Sequence, residues 1–300
     1  MILGEIHNCS LFSSIFAGSN FIDTVMRLAL IQLKVTKDKL ANLQHASEKI
    51  REAVKEHKPR LVALPECFNS PYGTKYFPEY AETIPNGESA KTLSELAKEL
   101  GVYIVGGSIP ELGEDNKLYN TCTVWCPEGK LIAKHRKVHL YDTDVKGGIR
   151  FKESDTLSPG NQFTIIEIDG HKIGIGICYD IRFEEMAKLY RIEGCEMLMY
   201  PAAFNMTSGP LHWELLQRAR ANDNQLYVVT ISPARDETAD YVAYGNSMVV
   251  DPWAKVIKQA KEYEETIIAD IDFSLVESVR QQITVFPQRR LDMYGTVKKI

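Results

Sequence analysis

The sequence has no Lys or Arg before Arg27. The apolar stretch at residues 11–16 therefore lacks the basic flank of a secretory or mitochondrial leader. No apolar run is long enough to span a bilayer. No stretch is strongly basic either. With a net charge of −5, that argues against the phosphate-neutralising surfaces that nucleic acids and anionic membranes require. Six cysteines scattered through 300 residues do not form a disulfide scaffold, so free thiols and a reducing compartment are expected. There is no Pro/Gly/Ser-rich linker, internal repeat or low-complexity segment. These absences predict a soluble cytoplasmic protein, with a mitochondrial pool left open, and no nucleic-acid or membrane partner. Residues 1–25 read as an N-terminal extension and 26–300 as a single domain.

What is present is ample apolar material, 44% of the chain, enough for one large core. From Met26 onward, apolar strand-like runs alternate with amphipathic segments. Strands are predicted at 27–35, 61–64 and 102–105, with helices at 38–56, where Leu40, Leu43, Ala46, Ile50 and Ala53 share a face, and at 89–100, closed by Gly101. Residues 119–125 with 130–133, and 163–168 with 172–177 around Asp169-Gly170, read as hairpins, so the sheets are mixed. A helix at 183–192, a strand at 197–200, a helix at 211–221 and strands at 226–231, 247–250 and 266–271 follow, and a polar tail ends the chain. Two sets of strands interleaved with helices predict an α/β fold, a four-layer α-β-β-α sandwich.

Cys178 closes the run Lys172-Ile173-Gly174-Ile175-Gly176-Ile177 and is followed at once by a predicted helix. A thiol at such a turn lies near helix-end N–H groups that favour thiolate and can bind an oxyanion. The two glycines suggest that a ligand or another backbone approaches the strand; the plain alternative is a structural buried cysteine. A nucleophilic cysteine needs a base. Glu66, at the mouth of Leu61-Val62-Ala63-Leu64-Pro65, fits where desolvation can raise its pKa, although a glutamate there can equally be a solvated loop residue. Lys137 lies among Lys134, His135, Arg136 and His139. Alone it marks a basic loop; beside Cys178 it would lower the thiol pKa and stabilise an oxyanion. His135 and His139 could be a metal pair, but no Glu-bearing zinc signature surrounds them.

Three ordered motifs decide between these readings. Leu64-Pro65-Glu66-Cys67-Phe68, Lys134-His135-Arg136-Lys137-Val138-His139-Leu140 and Gly176-Ile177-Cys178-Tyr179-Asp180-Ile181-Arg182-Phe183 resemble the Glu, Lys and Cys motifs of the nitrilase (carbon–nitrogen hydrolase) superfamily. Asn69-Ser70-Pro71-Tyr72-Gly73, Phe204-Asn205-Met206-Thr207 and Gly209-Pro210-Leu211-His212-Trp213-Glu214 resemble its omega-amidase branch. The resemblance implies the same sandwich, usually as a homodimer, and a further polar residue at Glu153. Where that family often has Arg-Phe-Pro-Glu after the nucleophile, this chain has Arg182-Phe183-Glu184-Glu185, and Glu185 is taken as the matching glutamate.

The implied activity is hydrolysis of the terminal amide of a short keto-dicarboxylate monoamide. Cys178 would be the nucleophile, Glu66 the base, Lys137 and the Tyr179 backbone N–H the oxyanion donors, and Glu153 a neighbour of Lys137. The expected substrate wall is Arg182, gripping the far carboxylate, with Tyr72, Phe204 and Thr207; the plain alternative for Arg182 is a salt bridge to Glu185 or Asp180. No metal or other cofactor is called for. Another small amide or nitrile as substrate, a non-catalytic interaction protein on this fold, and a metallohydrolase using His135 and His139 are the competing readings.

Overall fold

The computed structural model describes residues 24–147 and 150–299. The predicted extension therefore lies outside the described residues except for Thr24 and Val25, and so does Cys9. The first strand, Val25–Gln32, shows why the architecture has four layers. Successive side chains on a strand point to opposite faces, and here both faces are apolar. Leu28 and Leu30 turn to one side, Ala29 and Ile31 to the other, and all four are buried. A strand buried on both faces must be covered on both.

On one side, Leu28 and Leu30 join Leu61, Ala63 and Val105 against Ile173, Met197, Met199 and Val228 of a second sheet, forming the central core. On the other, Ala29 and Ile31 join Val62, Leu64 and Ile104 beneath Leu43, Ile50, Leu93 and Leu96 of two helices. Those helices are Lys39–His57, whose Asp38 side chain accepts from the Ala41 N–H, and Glu88–Leu100, closed by Gly101 at φ +65°. The opposite outer layer is formed by the helices Glu184–Ile192 and Gly209–Asn224. The fold is the predicted α-β-β-α sandwich.

The first sheet has seven strands, in the order Glu265–Asp272, Val25–Gln32, Leu61–Ala63, Tyr103–Val105, Leu118–Trp125 and Ile109–Leu112, with Leu131–Arg136 also paired to Leu118–Trp125. The second has six: Val256–Gln259, Met248–Val250, Tyr227–Ile231, Met197–Pro201, His171–Ile175 and Thr164–Ile168. The sheets are mixed, as the hairpins implied. Their central strands are parallel and in register, Leu30 beside Ala63 beside Val105 in one and Ile175 beside Met199 beside Val229 in the other. The carboxyl ends of these strands therefore emerge together, which is where open α/β sheets place ligands.

Three local expectations change. Lys134–Arg136 is not loop but strand, and the hairpin arm predicted at 130–133 runs over Leu131–Arg136. Cys178 does not open an α-helix; Cys178–Arg182 is a single 3-10 turn, and the α-helix starts at Glu184. The bare face left by Gly174 and Gly176 does not admit a ligand. It is filled by rings, for a Cβ on Gly174 would sit 2.8 Å from Tyr190 Cγ and one on Gly176 2.4 Å from Tyr200 Cε1.

Both tyrosines are buried, so the rings have little room to retreat. Gly176→Ala is expected to destabilise the fold by about 1–3 kcal/mol, the usual cost of overpacking, in a urea unfolding titration; an unchanged midpoint and slope would show that Tyr200 is not fixed.

Candidate active site

Four residues singled out in the sequence reach one point at the seam of the two sheets. Glu66 follows the strand Leu61–Ala63, Lys137 directly continues Leu131–Arg136, Cys178 follows His171–Ile175, and Glu153 opens the 3-10 turn Glu153–Asp155. Glu66, Lys137 and Glu153 are completely buried and Cys178 nearly so. Glu66 is thus no solvated loop residue and Lys137 no member of a basic surface. Lys137 Nζ donates to Glu66 Oε1 at 3.0 Å and to Glu153 Oε1 at 2.9 Å.

Both carboxylates are held by further donors. Glu66 Oε1 also accepts from Asn120 Nδ2 at 2.8 Å, and its Oε2 from the Ala203 N–H at 2.7 Å. Glu153 Oε1 accepts the Tyr72 hydroxyl at 2.6 Å, and Oε2 the Tyr141 N–H at 2.7 Å. Asn120, Tyr141 and Ala203 were not singled out in the sequence. A buried amide in the strand Leu118–Trp125 was a faint signal; the other two act through backbone N–H groups, which no side-chain pattern reveals.

Burial works against the charge of Lys137, but Glu153 and Glu66 outweigh it and hold the ammonium well above its usual pKa. Burial raises Glu66 above the usual carboxylate range; Lys137 pulls it down and Glu153 pushes it further up. Burial likewise raises the Cys178 thiol well above its ordinary value, and Glu66 adds to that, against Lys137 and the Ala203 N–H. The expectation that this turn favours thiolate is therefore corrected: desolvation wins. Burial thus raises both members of the pair, the Cys178 thiol and the Glu66 carboxyl beside it. That arrangement can move a proton from sulfur to oxygen when an electrophile arrives. Cys178 has φ +45°, in the left-handed region that residues other than glycine seldom occupy.

His135 and His139 do not form a metal pair. Both are hydrogen-bonded to the buried Asp180, through Nε2 at 3.3 Å and Nδ1 at 2.8 Å. Among the described residues no group of three or more His, Cys, Asp or Glu side chains could hold a metal ion.

Of the four residues expected to form the substrate wall, two are in cation–ring contact. Arg182 and Phe204 come together, with the guanidinium 5.0 Å from the Phe204 ring centroid and 5.6 Å from that of Tyr179. Arg182 Nη1 lies 3.2 Å from His212 Nδ1; since guanidinium only donates, the imidazole accepts. Burial and the neighbouring Arg182 charge lower the His212 pKa, which keeps it a neutral acceptor. Asp180 is occupied by the two histidines, and Glu185 is exposed on the helix that follows. The Tyr72 hydroxyl rests on Glu153, and Thr207 is exposed in a turn where its N–H donates to Asn205 Oδ1.

A cavity of about 370 Å³ reaches Glu66 past Tyr72, Ala203 and Tyr241 and opens between Lys34–Lys37 and Asp236–Asp240. Arg182, Phe204 and Thr207 do not line it. At its mouth Asp240 accepts the Tyr76 hydroxyl and pairs with Lys75 at 2.8 Å.

The family model for carbon–nitrogen hydrolases matches residues 27–281, nearly the whole described chain. The chain belongs to the carbon–nitrogen hydrolase family. This carbon–nitrogen hydrolase is 58% identical to omega-amidase NIT2 of Xenopus tropicalis over 91% of this chain and 98% of that protein. It is 55% identical to omega-amidase NIT2 of Homo sapiens over 92% and 99%. The crystal structure of Saccharomyces cerevisiae Nit3, a member of branch 10 of the nitrilase superfamily, superposes with a TM-score of 0.82 at 47% identity, covering 89% of this chain and 97% of that one. The resemblance to the omega-amidase branch of the nitrilase superfamily holds, and the protein is an enzyme, a carbon–nitrogen hydrolase of the amidase type.

The Cys178 thiol has the buried carboxyl of Glu66 beside it. Cys122 and Cys195 are buried, and desolvation raises their thiols, that of Cys195 to about 12. A short iodoacetamide pulse read by mass spectrometry is expected to label Cys178 ahead of Cys122, Cys126 and Cys195, and Glu66→Gln is expected to slow that labelling. Equal labelling of all four sites would remove Glu66 as the base.

Proposed function

We propose that this carbon–nitrogen hydrolase cleaves the terminal amide of short keto-dicarboxylate monoamides such as 2-oxoglutaramate and 2-oxosuccinamate. The products are the dicarboxylate and ammonia. Glu66 takes the thiol proton of Cys178, and the sulfur attacks the amide carbon. Lys137 and the Tyr179 backbone N–H hold the oxygen as it becomes negative, a contribution concentrated in the transition state. As the C–N bond breaks, Glu66 returns the proton to the leaving nitrogen, so ammonia departs and a thioester remains. Glu66 then accepts a proton from water, whose oxygen displaces Cys178 and regenerates the thiol. Glu153 keeps Lys137 charged and in place throughout. Every proton passes through Glu66, and the cycle calls for no metal or nucleotide.

The observation that carries the substrate reading is the Arg182 guanidinium, set four residues beyond the nucleophile and steadied by Phe204 and His212. A guanidinium can grip a carboxylate with two parallel bonds, and the omega-amidase relatives support a substrate with an acid at the far end. Tyr72, Phe204 and Thr207 complete the proposed wall, Tyr72 from the Glu153 side. We place the enzyme in the cytoplasm as a homodimer, with no nucleic-acid or membrane partner and with residues 26–300 as its single domain. The exposed Leu211 and Leu215 on the helix Gly209–Asn224 support self-association, since apolar surface of this kind favours a partner.

The test is ammonia release from a panel of small amides and nitriles, with Cys178→Ala as blank. 2-Oxoglutaramate is expected to be the best substrate; preference for a nitrile or for an amide without a carboxylate would replace this reading. Arg182→Lys, which keeps the charge and loses the fork, is expected to raise KM for 2-oxoglutaramate by roughly tenfold, about 1.4 kcal/mol. It should leave an amide without the far carboxylate almost unaffected. Equal damage to both would make Arg182 a support of the turn.

A further inference from the structure

Asp180 is completely buried and lies two residues beyond Cys178. Its Oδ2 accepts the Ile177 N–H at 2.9 Å and faces His135 Nε2 at 3.3 Å. Its Oδ1 accepts the His139 N–H at 2.9 Å and faces His139 Nδ1 at 2.8 Å. Ile177 immediately precedes the nucleophile, and His135 and His139 stand two residues on either side of Lys137. One carboxylate thus holds the chain on both flanks of the cysteine and both flanks of the lysine.

The geometry points to Asp180 as a positioning residue for amide hydrolysis, fixing the Cys178 turn against the Lys137 segment through His135, His139 and the Ile177 N–H. The inference rests on the roles assigned to Lys137 and Cys178, and not on which amide is the substrate.

The neighbouring groups are themselves braced. His135 Nδ1 lies 3.0 Å from Thr164 Oγ1, and the His139 ring stacks on Phe183 at 3.6 Å between centroids. The turn that Asp180 closes carries the left-handed Cys178, a conformation that persists only where the surroundings over-determine it. Burial opposes the charge of Asp180, but bonds from both histidines and the Ile177 N–H outweigh it and hold the carboxyl well below its usual range. It is therefore an ionised, four-way acceptor. No neutral side chain of the same shape can replace it, because an amide presents donors on one side.

The test compares Asp180→Asn, His139→Gln and the double variant with the full-length enzyme. Asp180→Asn is expected to lower kcat by about a hundredfold or more, the scale of a misplacement of about 1 Å, while KM stays within about twofold. It is also expected to slow iodoacetamide labelling of Cys178, a reading that needs no substrate. His139→Gln is expected to give a smaller loss of the same kind. The double variant should be no slower than Asp180→Asn, because the shared bond is already gone. Additive losses would overturn the inference, as would an unchanged kcat and labelling rate in a folded Asp180→Asn. If Asp180→Asn does not fold, His139→Gln decides alone: a kcat and a labelling rate like those of the parent enzyme reject the positioning role. Failure of the parent enzyme on every amide would reject the proposed activity instead and leave the labelling comparison to judge Asp180.

Discussion

The ammonium of Lys137, buried with two carboxylates, is the constraint on which the rest of the site depends. An unpaired charge in a protein interior costs several kcal/mol, so Lys137 must sit where Glu66 and Glu153 both reach it. Those carboxylates, equally buried, need donors for their remaining lone pairs. Asn120 and the Ala203 N–H serve Glu66; Tyr72 and the Tyr141 N–H serve Glu153. Each donor comes from a different segment, and the loss of one leaves a charge partly unsatisfied. The seam between the sheets is thereby held by polar bonds as well as by apolar packing.

The same burial sets the chemistry. It raises both the Cys178 thiol and the Glu66 carboxyl above their ordinary ranges. In the proposed cycle Glu66 generates the nucleophile as substrate arrives, whereas a resting thiolate would draw its reactivity from the cation and the helix end. In that cycle Lys137, whose pKa the two carboxylates hold up, is spared for the oxygen that becomes negative. Low dielectric strengthens that interaction as well.

The fold supplies this arrangement because parallel strands in register finish together. Glu66 follows one sheet, Cys178 and Ala203 follow strands of the other, and Lys137 and Asn120 come from the antiparallel edge of the first. Two of the turns carry cysteines at positive φ, Cys67 beside the base and Cys178 itself. Such strain is tolerated where a surrounding network holds it. At Cys178 that network runs through Asp180 to His135 and His139, and the two histidines are structural partners of a carboxylate, not ligands of a metal.

The strand Val25–Gln32, apolar along most of its length, and the close of a helix at Gly101 were legible from the sequence, because apolar runs and helix ends are local properties. The layered architecture followed from them. Glu66, Lys137, Glu153 and Cys178 could be named because three motifs stand in order. Tertiary structure alone decided that Lys137 continues a strand, that Tyr190 and Tyr200 fill the space beside Gly174 and Gly176, and that Cys178 begins a 3-10 turn in which burial raises its thiol. It also decided that Arg182 rests on His212 and Phe204. The reason is physical: a pKa depends on the burial and charge that distant segments bring to a group. A hydrogen bond such as that from Ala203 to Glu66 joins residues 137 positions apart through a backbone N–H that every residue but proline possesses.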